Sequence, residues 1–187
     1  MNPFDRFANR FSNLPETDIT QGQSIAYSRS TTRRLMEIGD ANNMGNVHGG
    51  IIMRMVDETA TIVAIKHSHH AAVTVRVERF NFLAPAFVGD VVSVDCELHY
   101  AGRTSMEIGV EVTAEDLATR EVRKVASSYL IFVALDENRR PTAVPPLVAA
   151  DDEERAIIER ALLDRTQRQK IDEEFKKLEK AQNEQSG

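Results

Sequence analysis

The sequence predicts an α+β domain: an antiparallel sheet carrying one long helix against a face. Two observations predict it. Gly49-Gly50 opens IIMRMVDETATIVAIKH, interrupted only by Arg54, Asp57 and Glu58 before Lys66. Apolar nearly all round and of this length, the segment reads as a buried helix at the centre of the domain. Four strand-like runs with short connections follow, and short connections join antiparallel neighbours. A helix succeeded by such a run of strands buries its apolar surface on the sheet they form.

Taken in order, residues 1–20 read as an irregular arm, with Phe4, Phe7 and Phe11 spaced to dock. Residues 24–38 are strand-like but polar, as suits an edge or a strand with one wet face. GDANNMGNVHGG is a turn-rich loop leading into the helix. In 73–83 the apolar phase runs Val73, Val75, Val77 and then shifts to Phe80 and Phe82, which predicts a bulge near Arg79. In 91–100, Val92, Val94, Cys96, Leu98 and Tyr100 alternate with polar residues that include His99. In 104–113, Met106, Ile108, Val110 and Val112 do the same, and Ala101-Gly102-Arg103 makes the hairpin turn between the two runs. The run 122–135 becomes continuously apolar at YLIFVAL, as a central strand covered on both faces would. After Pro141, Pro145 and Pro146 comes a charged helix that Asp151 or Asp152 can cap, docked through Ile157, Ile158, Ala161 and Leu162. The chain thus divides into an arm (1–20), a domain (21–148) and an appended helix (149–187).

Composition narrows the function. Hydrophobic residues make up 42% of the 187 and charged residues 28%, enough for a genuine core. With 23 basic against 29 acidic side chains the net charge is -6, which argues against a nucleic-acid binder. Cys96 is the single cysteine, the N-terminus has no apolar signal-like run, and no apolar stretch reaches the ~18 residues of a membrane span. A cytoplasmic protein with no membrane partner is the expectation.

Two local features carry chemistry. At the loop-to-helix junction, Asn42, Asn43 and Asn46 precede His48-Gly49-Gly50. Free N–H groups at a helix start attract an anion or a developing oxyanion, and the glycines admit a close approach; the alternative is an ordinary Gly/Asn-rich turn. Within the helix, Asp57 and Glu58 are carboxylates among apolar residues. Arg54 at i+3 and i+4 spacing can neutralise one of them, which leaves the other for functional use. His67, His69 and His70 lack cysteines or a second ligand cluster, so no metal is expected. No G-x-S-x-G, P-loop or G-x-G-x-x-G motif is present.

DANNMGNVHGGIIMRMVDETA resembles the N-x-x-G-x-x-x-G-G…(M)-D-E signature of hotdog-fold acyl-CoA thioesterases. The likeness continues through TVRVERFNFLAPAFVGDVV, AGRTSMEIGVEV, VRKVASSYLIFVALDENRRP and VPPL, covering roughly residues 25–165. The cytosolic acyl-CoA hydrolases and their small bacterial single-hotdog relatives are the most similar branch. The resemblance implies a hotdog fold, a sheet wrapped around its central helix, and hydrolysis of acyl-CoA to free acid and CoA in fatty acid metabolism. It assigns Asp57 as general base or nucleophile, Asn42 as the group orienting thioester or water, and the N–H groups around Gly49 and Gly50 as the oxyanion site. His48, preceding Gly-Gly, would add a titratable group near the substrate. Arg76, Arg79, Arg103, Arg123 and Lys124 are candidate cations for binding coenzyme A, Arg103 and Lys124 foremost, and Ser105 could donate to phosphate; ordinary surface charge is the alternative reading of each cation. No separate cofactor is implied.

Asp57 lies seven residues beyond Gly50, about 10 Å along a helix axis, so it cannot easily serve its own helix start. A neighbouring protomer's Asp57 could, and the resemblance implies a homodimer, with a hexamer as trimer of dimers. An acyl-CoA-binding hotdog without catalysis is the alternative function; a hotdog dehydratase fits the Asn-rich loop and Asp57 poorly.

Overall fold

The structure, a computed structural model, describes residues 20–185, without the side chains of 172, 176 and 178–185. The aromatic residues Phe4, Phe7 and Phe11 lie outside the described residues. A short helix α1 (Ile25–Ser28) leads into strand β1 (Ser30–Leu35) and a 3-10 turn (Ile38–Asp40). The long helix α2 (Gly49–Ser68) follows, then β2 (Ala71–Phe82), β3 (Asp90–Ala101), β4 (Ser105–Asp116), β5 (Val122–Leu135) and the terminal helix α3 (Asp152–Gln185). The strands form one antiparallel sheet in the order β1-β3-β4-β5-β2, so β2 is an edge.

One face of the sheet packs on α2. Val92, Val94, Cys96 and Leu98 of β3, Met106, Ile108 and Val112 of β4, and Leu130 and Phe132 of β5 are buried against Ile52, Val56, Ala60 and Val63 of α2. Cys96 is a small core residue, and desolvation pushes its thiol up to about 12. The helix is not buried all round, as its sequence suggested. Met53, Arg54, Asp57, Glu58 and Ile62 stay exposed on the face turned away from the sheet.

Three further expectations change. The polar segment at 24–38 splits, because residues 25–28 wind into a helical turn held by Glu154, whose carboxylate accepts from the N–H groups of Ile25 and Ala26. In β2 the bulge near Arg79 is present, with Arg79 at φ 48°, but a second register shift lies between Thr74 and Arg76. That shift moves Val73 off the α2 side and leaves Thr74 on it, opposite Phe132. In β3 a bulge at His99 sets Tyr100 opposite Glu107, on the outer face rather than with Leu98. The His99 ring is not simply solvated: it lies across Gly109, where an added Cβ would sit 2.0 Å from it.

Asp151 caps α3 by accepting from the N–H of Glu154 at 2.8 Å. The helix crosses the outer face with Ala161 and Arg168 buried and Leu162 exposed, so Leu162 is not part of the docking stripe. The contact is ionic and aromatic. Glu107, 1% exposed in mid-strand, pairs with both Arg165 and Arg168. Arg168 also pairs with Glu78 at 2.9 Å and lies over the Tyr129 ring, while Arg165 lies over Tyr100. A carboxylate buried this deeply is tolerated because two guanidinium groups share it.

His67, at the C-terminal end of α2, donates from Nε2 to the carbonyl of Pro145 at 2.9 Å, and its Nδ1 is buried without a partner among the described residues. Burial holds its pKa below the ordinary value, against the opposing effect of the Pro145 hydrogen bond. The unfolded chain therefore takes up this proton at a higher pH than the folded one. The contribution of His67 to stability is full above a pH of about 6.5, the unfolded value, and is lost as pH falls from there toward the lowered folded value. Denaturant midpoints measured between pH 5 and 8 should fall on the acid side, and His67→Gln should flatten that slope.

Candidate active site

The loop before α2 is built on Asp40 and Asn42. Asp40 accepts from both Arg34 and the backbone of Glu37, which closes the 3-10 turn. The Glu37 N–H and the Arg34 guanidinium hold its carboxyl below the usual carboxylate range, against burial. Asn42 folds the next turn: its Oδ1 accepts from the N–H groups of Met44 at 2.8 Å and Asn46 at 3.2 Å. Its Nδ2 is left without a partner among the described residues. Asn46 and Val47 then pair with Phe87 and Ala86, pinning the loop to the β2–β3 connection.

His48 is the N-cap of α2, and its Nδ1 accepts from the Gly50 N–H at 2.9 Å. This corrects the expectation that both glycines offer free donors. Gly50 is capped within the chain, His48 is committed to it, and the Gly49 N–H remains at the helix start, where the dipole favours negative charge. A cavity of about 400 Å³ opens there, lined by Asn42, Asn46, Gly49, Ile52, Phe82 and Ala86 among others. The Phe82 ring packs so closely on Gly49 that an added Cβ would come to 3.0 Å from it. Asn42 and Gly49 thus meet at one largely apolar cavity with a hydrogen-bond donor each.

Asp57 does not reach that cavity. It sits two turns further along α2 on the exposed face, where Thr74 Oγ1 donates to its Oδ1 at 2.6 Å. Arg54 pairs instead with Glu58 at 2.8 Å. Glu58 is the exposed ion-pair partner, and Asp57 has no ion pair among the described residues and is oriented by a hydroxyl. Thr74 is the residue the sequence reading missed. Without the bulge at Val75 its side chain would be assigned to the wrong face of β2, and only the misfit of a threonine among valines marks it.

The candidate coenzyme A residues are dispersed. Arg103 and Ser105 lie at the β3–β4 turn, by the end of the sheet where β2 begins and α2 ends, opposite the Asn42 cavity. Arg76 pairs with Glu78 at 3.2 Å. Lys124 is engaged with Glu111 and borders a cleft on the outer face. The cation that does brace the cavity is Arg123, which donates to the Pro85 carbonyl, pairs with Asp90 and lies over the Phe87 ring. His67 and His69 are bound into structural contacts with Pro145, Gln23 and Tyr27.

A five-stranded antiparallel sheet curled on a long helix, with a donor-lined cavity at the helix start, defines a hotdog-fold protein. The Thioesterase superfamily model matches residues 44–120. The chain is 37% identical over 115 residues to the acyl-CoA thioester hydrolase YkhA of Bacillus subtilis, covering 62% of this chain and 67% of that one. It is 33% identical to the human cytosolic acyl coenzyme A thioester hydrolase, covering 66% of this chain but spanning only 34% of that protein. An apo-hexameric acyl-CoA thioesterase superimposes with a TM-score of 0.76 at 33% identity, covering 81% of this chain and 97% of its own. The chain belongs to the thioesterase superfamily, among the acyl-CoA thioester hydrolases.

Solved structures of a Staphylococcus aureus acyl-CoA hydrolase, 28% identical with a TM-score of 0.73 over 84% of this chain and 96% of that one, add a point about position. Three of its single alanine variants replace an asparagine, an aspartate fifteen residues on, and a threonine seventeen beyond that. Asn42, Asp57 and Thr74 have the same residue types at the same two spacings. Thr74→Val removes the donor while keeping the shape of the side chain. The loss of one hydrogen bond to a carboxylate should lower thioester turnover by roughly tenfold with little change in melting temperature. Thr74→Ser should restore it, and steady-state kinetics on the two variants check this.

Proposed function

We propose that this chain hydrolyses acyl-CoA to a carboxylic acid and CoA at a site built by two protomers. The observation that carries the reading is the separation on α2 of the cavity donors, Asn42 and Gly49, from an outward-facing, hydroxyl-oriented Asp57. An antiparallel neighbour on the exposed face of α2 brings the partner's Asp57 to this cavity and this chain's Asp57 to the partner's. The β2 edge supports such a joint, since among the described residues its backbone is unpaired on one side and Val73, Val75 and Val77 are 44%, 55% and 46% exposed. The same arrangement carries the partner's Arg103 and Ser105 to the cavity end of this sheet, where they can meet coenzyme A. Hexameric relatives support a trimer of such dimers.

In this reading the thioester carbonyl lies between the Asn42 amide and the Gly49 N–H. The partner's Asp57 takes a proton from water as the water oxygen attacks the carbonyl carbon. The negative charge that develops on the carbonyl oxygen is held by the two donors and the helix start. Collapse breaks the C–S bond, and the thiolate of CoA recovers the proton from the carboxyl. Attack by the carboxylate itself, followed by hydrolysis of the anhydride, uses the same groups. Water is the only co-substrate, so no cofactor is required. A cytoplasmic site of action suits the buried, unpaired Cys96. Among the described residues no helix is long and apolar enough to cross a membrane.

Asp57→Asn should lower kcat by a factor of about 10² or more, and Asn42→Ala should lower it with the fold intact. Because Asp57 is exposed and has no ion pair among the described residues, Asp57→Asn should leave thermal stability unchanged or slightly raised. CoA release from a panel of acyl-CoAs, with melting curves on the same samples, checks both. Normal turnover in folded Asp57→Asn would remove Asp57 from the chemistry, and binding of acyl-CoA without CoA release by the unmodified chain would leave an acyl-CoA-binding protein.

A further inference from the structure

We propose that α3 beyond Arg168 is an arm that docks on the outer face of the partner's sheet, with Ile171 and Phe175 as its anchors. The inference rests on the dimer joined along β2, and goes beyond it by giving the terminal helix a place in the assembly.

The course of α3 supports the proposal. Glu153 and Ile157 border the cleft over β3. Arg165 reaches Tyr100 on β3 and Glu107 on β4. Arg168 contacts Tyr129 on β5 and Glu78 on β2. Ile171 borders a small hollow with Arg76, Val77 and Arg79 of β2. The helix therefore crosses the sheet strand by strand and arrives at the β2 edge at residue 171, with helix still running to Gln185. That remainder is about 20 Å long, the width of roughly four strands. This chain's own sheet offers nothing beyond β2 for it to cover.

The docking stripe does not stop at the edge. Positions 161, 165, 168, 171 and 175 step by three or four residues and share one helix face. Ala161 and Arg168 of that stripe are buried, whereas Ile171 is 43% and Phe175 60% exposed. The stripe makes ionic contacts where it faces this sheet, and its next two positions, Ile171 and Phe175, are apolar within an otherwise charged segment. A helix with such a face draws its stability from a surface to pack on. A protomer paired along β2 places its own outer face on that path. Charge fits as well: Glu173 and Glu174 would arrive beside an edge that presents Arg79. By two-fold symmetry the two arms cross the joint in opposite directions.

The test compares three proteins by sedimentation velocity across a dilution series: the full chain, the double variant Ile171→Asp/Phe175→Asp, and a chain ending at Gln169. Circular dichroism and melting curves establish that each is folded. The full chain should be a dimer or larger, and both altered chains should dissociate at concentrations at least tenfold higher. Their turnover per site should fall on dilution in parallel. Altered chains that are folded and associate as tightly as the full chain overturn the arm and leave the β2 joint standing. A full chain that is monomeric at micromolar concentration removes the joint itself, and the arm with it.

Discussion

An α-helix fixes the distance between any two of its residues, and that rigidity governs this molecule. The Gly49 donor at the start of α2 and Asp57 lie eight residues apart, about 12 Å along one axis. No loop motion or rotamer change closes that gap while the helix stays whole. Everything around α2 is consistent with a site completed from outside. The N-cap is fastened by His48, the approach loop is folded on the Asn42 side chain, and Asp57 is held outward by Thr74. The apolar residues of the β2 edge and of the outer face of α2, costly in a lone protomer, sit where a second copy would cover them.

The sheet is used differently on its two faces. The inner face is an ordinary apolar core against α2. The outer face carries a mid-strand glutamate and aromatic rings, which receive two buried or half-buried arginines of α3. An ionic lock of this kind adds less stability than an apolar contact of equal size, because both partners must be stripped of water. What it supplies is a single register for α3, since Glu107 and Glu78 together admit Arg168 in one place. That register sets where α3 leaves the sheet.

Much of this was legible in the sequence, because the signals are local. The start of α2 at Gly49, the four long strands, the bulge at Arg79 and the cap at Asp151 follow from turn residues and periodicity. Asn42 and Asp57 were marked by a motif and by the cost of a carboxylate in an apolar helix, although that cost proved smaller because Asp57 faces outward. What escaped were features set by register. The bulge at Val75 turns Thr74 toward Asp57, and the bulge at His99 turns Tyr100 toward Arg165; a strand read by period two cannot show either. The capping of Gly50 by His48 was hidden for a similar reason, since the sequence shows which groups are near a helix start but not which donor each one occupies.

The central claim is that each site takes Asn42 from one protomer and Asp57 from the other. It is tested most directly by mixing two inactive chains. Asn42→Ala and Asp57→Asn protomers, co-expressed so that they assemble together, should form mixed dimers in which one site carries both changes and the other carries neither. With random assembly, activity should return to about a quarter of the unmodified enzyme's, because half the dimers hold one intact site. Activity that stays at the level of the two separate variants, in samples shown by mass to contain the mixed dimer, would contradict the account and confine the site to a single chain.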